Sequence, residues 1–179
     1  IAKALQGHAD DEPLTRDGHV VGTPEYMSPE QAGAIDAPVD ERSDVYSLGV
    51  VLHELLVGWR PHDFSGTAPL EMVRVLSDTH PSKPSERFRA ARLQATRGEP
   101  TDHSIEGVST ARGCTPDMLE RQLAGDLDAI LIRALRTRPA HRYESVAALM
   151  SDVDRYLQGE PVRAIDTLER AGIPPNNLP

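Results

Sequence analysis

The side chains able to do acid–base, nucleophilic or metal chemistry are scattered along this chain. Seven histidines, His8, His19, His53, His62, His80, His103 and His141, show no H-E-x-x-H or comparable spacing, the pattern that sets two imidazoles on one helix face around a zinc ion. His53-Glu54 comes nearest, but no second histidine follows four residues on. Satisfied or surface histidines are therefore expected, and no residue is assigned as a metal ligand. Cys114 is the only cysteine; it can form neither an internal disulfide nor a Cys-based zinc site by itself, which fits a reducing, cytoplasmic compartment. Tyr46-Ser47-Leu48-Gly49 has Tyr where a nucleophile elbow requires its first Gly.

Composition narrows the remaining classes. The 179 residues are 39% hydrophobic and 26% charged, enough for one core of ordinary size and too short for two comfortable domains. Nineteen Lys plus Arg against 28 Asp plus Glu give a formal net charge of -9. Such a surface repels phosphate backbones unless its basic residues cluster, and along the sequence they do not, so nucleic acid is not an expected partner. The most apolar stretch, 50–57, is broken by His53 and Glu54 and falls far short of the roughly 18 residues a membrane span needs. The Ile1 start shows no signal-peptide pattern and no initiator Met, which suggests a chain cut from something longer.

Helical periods must supply the scaffold. Residues 1–24 are polar, carry the acidic run Asp10-Asp11-Glu12 and read as an exposed loop. Residues 43–57 are apolar nearly all round, with Gly58 as the stop and Pro61 beyond, which predicts a central helix buried on every side. A second helix is expected over 69–77. Residues 86–122 are rich in Arg, Gly and Thr with weak periodicity and read as an insertion, partly helical and partly loop. Leu127, Ile130, Leu131, Ala134 and Leu135 form one stripe entered through Gly125-Asp126 and ending before Pro139. Ser145 caps a last helix whose stripe of Val146, Leu149, Met150, Val153, Tyr156 and Leu157 is expected in the core, with Gly159 as its end. An irregular tail, 164–179, follows. The fold class is mainly α.

Two blocks carry a specific likeness. Gly22-Thr23-Pro24-Glu25-Tyr26-Met27-Ser28-Pro29-Glu30-Gln31, followed by Ser43-Asp44-Val45-Tyr46-Ser47-Leu48-Gly49, resembles the bacterial serine/threonine protein kinases of the eukaryotic-like type. Ser28-Pro29-Glu30 matches the family's A-P-E motif with Ser for Ala, and the second block matches the start of its central helix. Gly125-Asp126-Leu127-Asp128 and Arg138-Pro139-Ala140-His141-Arg142-Tyr143 look like later segments of the same lobe. Ile1-Ala2-Lys3-Ala4-Leu5 looks like the residues that follow Asp-Phe-Gly. The resemblance covers residues 1–163 and implies the helical C-terminal lobe of a protein-kinase-like fold, without the N-terminal lobe or catalytic loop.

The resemblance assigns roles where residues match. Glu30 and Arg142 would form a buried ion pair tying the substrate-binding segment to the lower helices; the alternative is two unrelated surface charges. Asp44 matches the residue that holds the catalytic loop, although a plain helix N-terminal carboxylate needs no such role. Thr23, Pro24, Glu25 and Tyr26 would form the substrate-binding part of the activation segment, with Thr23 helping to select a hydroxyl-bearing acceptor; Gly22 and Pro24 would also suit an ordinary turn. Thr15 lies where an activation-loop phosphosite is expected, against the alternative of an unmodified exposed threonine.

Phosphoryl transfer needs a Gly-rich loop, a strand-borne Lys, a catalytic Asp with a following Asn, and the Asp of Asp-Phe-Gly. The sequence holds no G-x-G-x-x-G, its lysines are Lys3 and Lys83, and its asparagines are Asn176 and Asn177. The resemblance thus implies ATP and Mg2+ for an intact kinase acting on Ser or Thr of protein substrates, with the N-terminal half as this chain's missing partner. The chain itself is expected to bind neither ATP nor Mg2+ alone and to be inactive alone. The alternative is a non-catalytic remnant that serves as a protein-interaction module.

Overall fold

The computed structural model describes residues 24–64 and 66–165, and among them there is no strand. Among the described residues seven helices succeed one another: α1 (Arg42–Val57), α2 (Pro69–Asp78), α3 (Pro84–Thr96), α4 (Ile105–Thr110), α5 (Pro116–Leu123), α6 (Asp126–Ala134) and α7 (Val146–Leu157), with short 3-10 turns at Pro24–Tyr26 and Pro139–His141. Local chemistry sets their ends. Prolines open α2, α3 and α5, where the missing N–H leaves no helical bond unmade. The Ser104, Thr115 and Ser145 hydroxyls accept from the backbone N–H groups of Gly107, Met118 and Ala148, capping α4, α5 and α7.

Helix α1 is the post around which three apolar clusters assemble. Val57 packs with Trp59, Phe88, Ala91, Ile105, Val108, Leu119 and Leu123. Val45 joins Ile130, Ala134, Tyr143, Leu149, Val162 and Ala164. Tyr46 and Val50 meet Phe64, Leu76 and Leu135. Each fully buried Leu, Val or Phe contributes roughly 1.5–3 kcal/mol relative to exposure, so these clusters carry the stability of the lobe. Gly49 lets α1 and α6 approach: a Cβ there would lie 3.1 Å from that of Ala134.

The periodicity misplaces several residues. Helix α1 is not covered all round, because Val51 and Leu55 are 37% and 63% exposed. In α7 the inward face is Leu149, Asp152, Val153 and Tyr156; Met150 and Leu157 are 44% and 73% exposed and Val146 also faces outward, so Met150 is not a core residue. The segment 86–122 is partly helical and partly loop as expected, but it is not peripheral: Phe88, Ile105, Val108, Leu119 and Leu123 on its helices build a core cluster with α1. Residues 162–165 are also packed: Val162 and Ala164 are buried and Ile165 lies against their cluster. No helix among the described residues is long and apolar enough to cross a membrane.

Candidate functional site

The segment from Pro24 to Ala34 is held by its own backbone and by α1. Its 3-10 turn covers Pro24–Tyr26. Gln31 Oε1 accepts from the Ser28 backbone N–H at 3.1 Å and its hydroxyl at 3.2 Å, while the Gln31 N–H returns a 3.4 Å bond to the Ser28 hydroxyl. This closed box fixes the chain direction between Tyr26 and Glu30.

Three contacts pin the turn. The Tyr26 hydroxyl donates to Glu54 Oε2 at 2.6 Å, and the Ser47 hydroxyl donates to the Tyr26 carbonyl at 2.7 Å. The Glu54 hydrogen bond, then burial, raises the Tyr26 pKa, so the phenol stays a donor. Glu25 lies 3.4 Å from Arg60 at the half-exposed rim, a contact worth little in water.

Below the turn, Glu30 and Arg142 form a bidentate ion pair at 2.6 and 2.7 Å, with both side chains 0% exposed. Nothing of the surface-charge alternative survives this geometry. Ser43 donates a further 2.7 Å bond to Glu30 Oε1. Arg142 also donates to the carbonyls of Arg136 (2.7 Å), Arg42 (3.0 Å) and Thr137 (2.8 Å). All five guanidinium N–H groups are thereby used, and the guanidinium lies 4.9 Å from the Tyr46 ring centroid. Burial alone would raise the Glu30 pKa; the hydrogen bonds from Arg142 and Ser43 outweigh it and hold the carboxyl below its ordinary value.

The structure thus brings Glu25, Tyr26, Glu30 and Arg142 into one assembly against α1, with Pro24 opening the turn. Asp44 stands exposed in the first turn of that helix, where the dipole favours a carboxylate. Thr15 and Thr23 lie outside the described residues. Glu54, Ser43 and Ser47 were given no role in this site from the sequence. Glu54 did leave a signal, as a charge interrupting an apolar helical run. No three His, Cys, Asp or Glu side chains among the described residues converge to hold a metal ion. Among the described residues there is no asparagine, and Lys83, the one lysine, is exposed, so these residues do not supply the donor set of a kinase Mg–ATP site.

No family model matches the chain. Among curated proteins it is 34% identical over 171 residues to serine/threonine-protein kinase PknB of Mycobacterium leprae, covering 96% of this chain and 21% of that protein. It is 31% identical over 151 residues to the probable serine/threonine-protein kinase SCO3848 of Streptomyces coelicolor, covering 84% of this chain and 17% of the relative. With PknD of Chlamydia abortus, another serine/threonine-protein kinase, identity is 30% over 148 residues, 83% of this chain and 12% of the relative. The chain therefore spans about a fifth or less of the length of these relatives.

Proposed function

We propose that this chain, homologous to the C-terminal-lobe region of the bacterial serine/threonine protein kinases, is the part of such a kinase that presents Ser or Thr of protein substrates for phosphorylation. The observation that carries the reading is the fully buried Glu30–Arg142 pair, which ties the Pro24–Tyr26 turn to the lower helices. A rigidly held turn keeps an acceptor hydroxyl in reach of the transferring group, and such positioning supplies much of the rate in phosphoryl transfer. Tyr26, locked by Glu54 and Ser47, shapes the surface on which the peptide lies, and Thr23 selects the hydroxyl. Thr15 is the regulatory phosphosite.

ATP and Mg2+ are held by kinase sequence other than these residues, so the chain alone transfers no phosphate. The partial kinase domain takes in residues 1–163, a reading supported near its end by Val162, which packs on the core, and the protein works in the cytoplasm. A chimera tests the reading: residues 24–163 replace the matching region of an active PknB, and incorporation of the γ-phosphate into protein substrate is followed. Transfer that is retained and then lost in Glu30→Ala supports it. A soluble, folded chimera without transfer contradicts it.

A second reading, a non-catalytic interaction module, draws on one observation: the Tyr26–Glu54 and Glu30–Arg142 contacts form within this chain alone. It requires peptide capture by the isolated chain with an inactive chimera.

A further inference from the structure

The chain is acidic overall, yet one cleft on it is basic. A half-open cavity of about 430 Å³ is lined by Arg42, Arg133, Arg142 and Arg163, with Tyr143 in its wall. It lies where the start of α1, the end of α6 and the segment after α7 meet, on residues that the substrate-presenting reading leaves unused except Arg142.

The charges in this cleft do not cancel. Arg142 is neutralised by Glu30 and has no N–H to spare. Asp152 faces the cleft, but both its oxygens are occupied: Oδ2 accepts from the Tyr143 hydroxyl at 2.9 Å and Oδ1 from the Arg163 backbone N–H at 2.8 Å. Arg42 has only a 3.9 Å contact with Asp40. Arg133 lies 4.5 Å from the Tyr143 ring centroid and donates one 3.0 Å bond to the Arg163 carbonyl, which orients its plane and leaves other N–H groups free. The Arg163 guanidinium enters no ion pair or hydrogen bond among the described residues. Among the described residues that line the cleft, Glu144 at the exposed rim is the one remaining opposing carboxylate.

Three guanidinium groups with donors to spare, facing one cleft, match the oxygens of a dianion better than a single carboxylate. The cleft is half-open, with a volume of about 430 Å³, which leaves room beside a bound phosphate for the residues that carry it. We propose that this cleft binds a phosphorylated Ser or Thr side chain of a peptide, with Arg163, Arg133 and Arg42 as the phosphate donors. This proposal does not rest on the substrate-presenting reading; only the choice of probe peptide takes Thr15 from it.

The probe is a fluorescein-labelled peptide of residues 9–21 phosphorylated at Thr15, the one candidate modified threonine, titrated into the full chain and followed by anisotropy. The phosphopeptide is expected to bind at least about 10-fold more tightly than its unmodified counterpart, with the gain lost in Arg163→Ala. That variant removes only an exposed side chain and keeps the backbone N–H that Asp152 uses. Arg42→Gln is a second variant expected to weaken binding, and Arg89→Gln on α3 is the control expected to leave it unchanged. Equal affinity for the two peptides, no binding at about 1 mM, or undiminished binding in both cleft variants would overturn the proposal. So would inorganic phosphate binding as tightly as the phosphopeptide, which would assign the cleft to the free ion.

Discussion

The Glu30 carboxylate and the Arg142 guanidinium, 112 residues apart in sequence, meet through two parallel hydrogen bonds of 2.6 and 2.7 Å with no exposed surface on either side chain. Removing one partner leaves the other charge buried alone. Glu30→Ala and Arg142→Ala should each lose about 3–5 kcal/mol of unfolding free energy, and the double variant should lose less than their sum because the stranded charge is gone. Urea denaturation of the four proteins checks this; additive losses, or single losses below about 1 kcal/mol, would show a pair of ordinary surface strength.

Acid should unfold the lobe in an identifiable window. Burial, with a smaller push from the Arg87 charge, lowers the His53 pKa to about 4 although its Nδ1–H donates to the Trp59 carbonyl at 2.7 Å. Burial likewise lowers His62 to about 4. Between pH 6.5 and 4 the unfolded chain therefore binds more protons at both positions, so stability falls as pH falls through that window. Each histidine contributes a slope of up to about 1.4 kcal/mol per pH unit. Glu30, whose folded pKa is lowered, adds a further loss at more acidic pH. His53→Phe should roughly halve the slope between pH 6.5 and 4, read from urea midpoints; an unchanged slope would mean that His53 is protonated in the folded lobe.

Neighbouring positions in α7 should respond oppositely. Leu149 is 0% exposed and Met150 is 44% exposed, so Leu149→Ala should cost about 2–5 kcal/mol and Met150→Gln should stay within about 0.5 kcal/mol. Equal costs in thermal or urea melts would restore Met150 to the core.

Gly58 closes α1 at φ 90°, and a Cβ there would sit 2.8 Å from Val108 Cγ2. Both the left-handed backbone and the close side chain penalise any replacement. Gly58→Ala should lose about 1–3 kcal/mol, and adding Val108→Ala should recover part of that loss. Failure to recover any of it would assign the whole cost to the backbone.

Long single helices were legible in the sequence because each repeats its apolar positions over several turns. The α6 stripe is an example: Ile130, Leu131, Ala134 and Leu135 are all buried and Leu127 packs at the edge. The region from α3 to α5 was not legible, since its buried residues are spread over three short helices and α3 carries Arg87, Arg89 and Arg92 among them. Contacts across long separations left little trace. Ser85 reaches Asp128 through bonds of 2.9 and 2.5 Å across 43 residues, and Tyr26 reaches Glu54 across 28. Exposure misled in α1, where Val51 and Leu55 continue the apolar pattern but face outward. Glu30 and Arg142 were given their roles through motif blocks, whereas Ser43 and Ser47, although quoted in such a block, were given none because a serine's distant partner is not legible from its own position.

The central claim, that this chain is the substrate-presenting part of a serine/threonine protein kinase, is tested most directly by sequencing the DNA upstream of the codon for Ile1. The account predicts an in-frame Asp-Phe-Gly immediately before Ile1, preceded by His-Arg-Asp and a Lys-bearing strand. A stop codon or unrelated sequence at that point would contradict it and leave a non-catalytic interaction module.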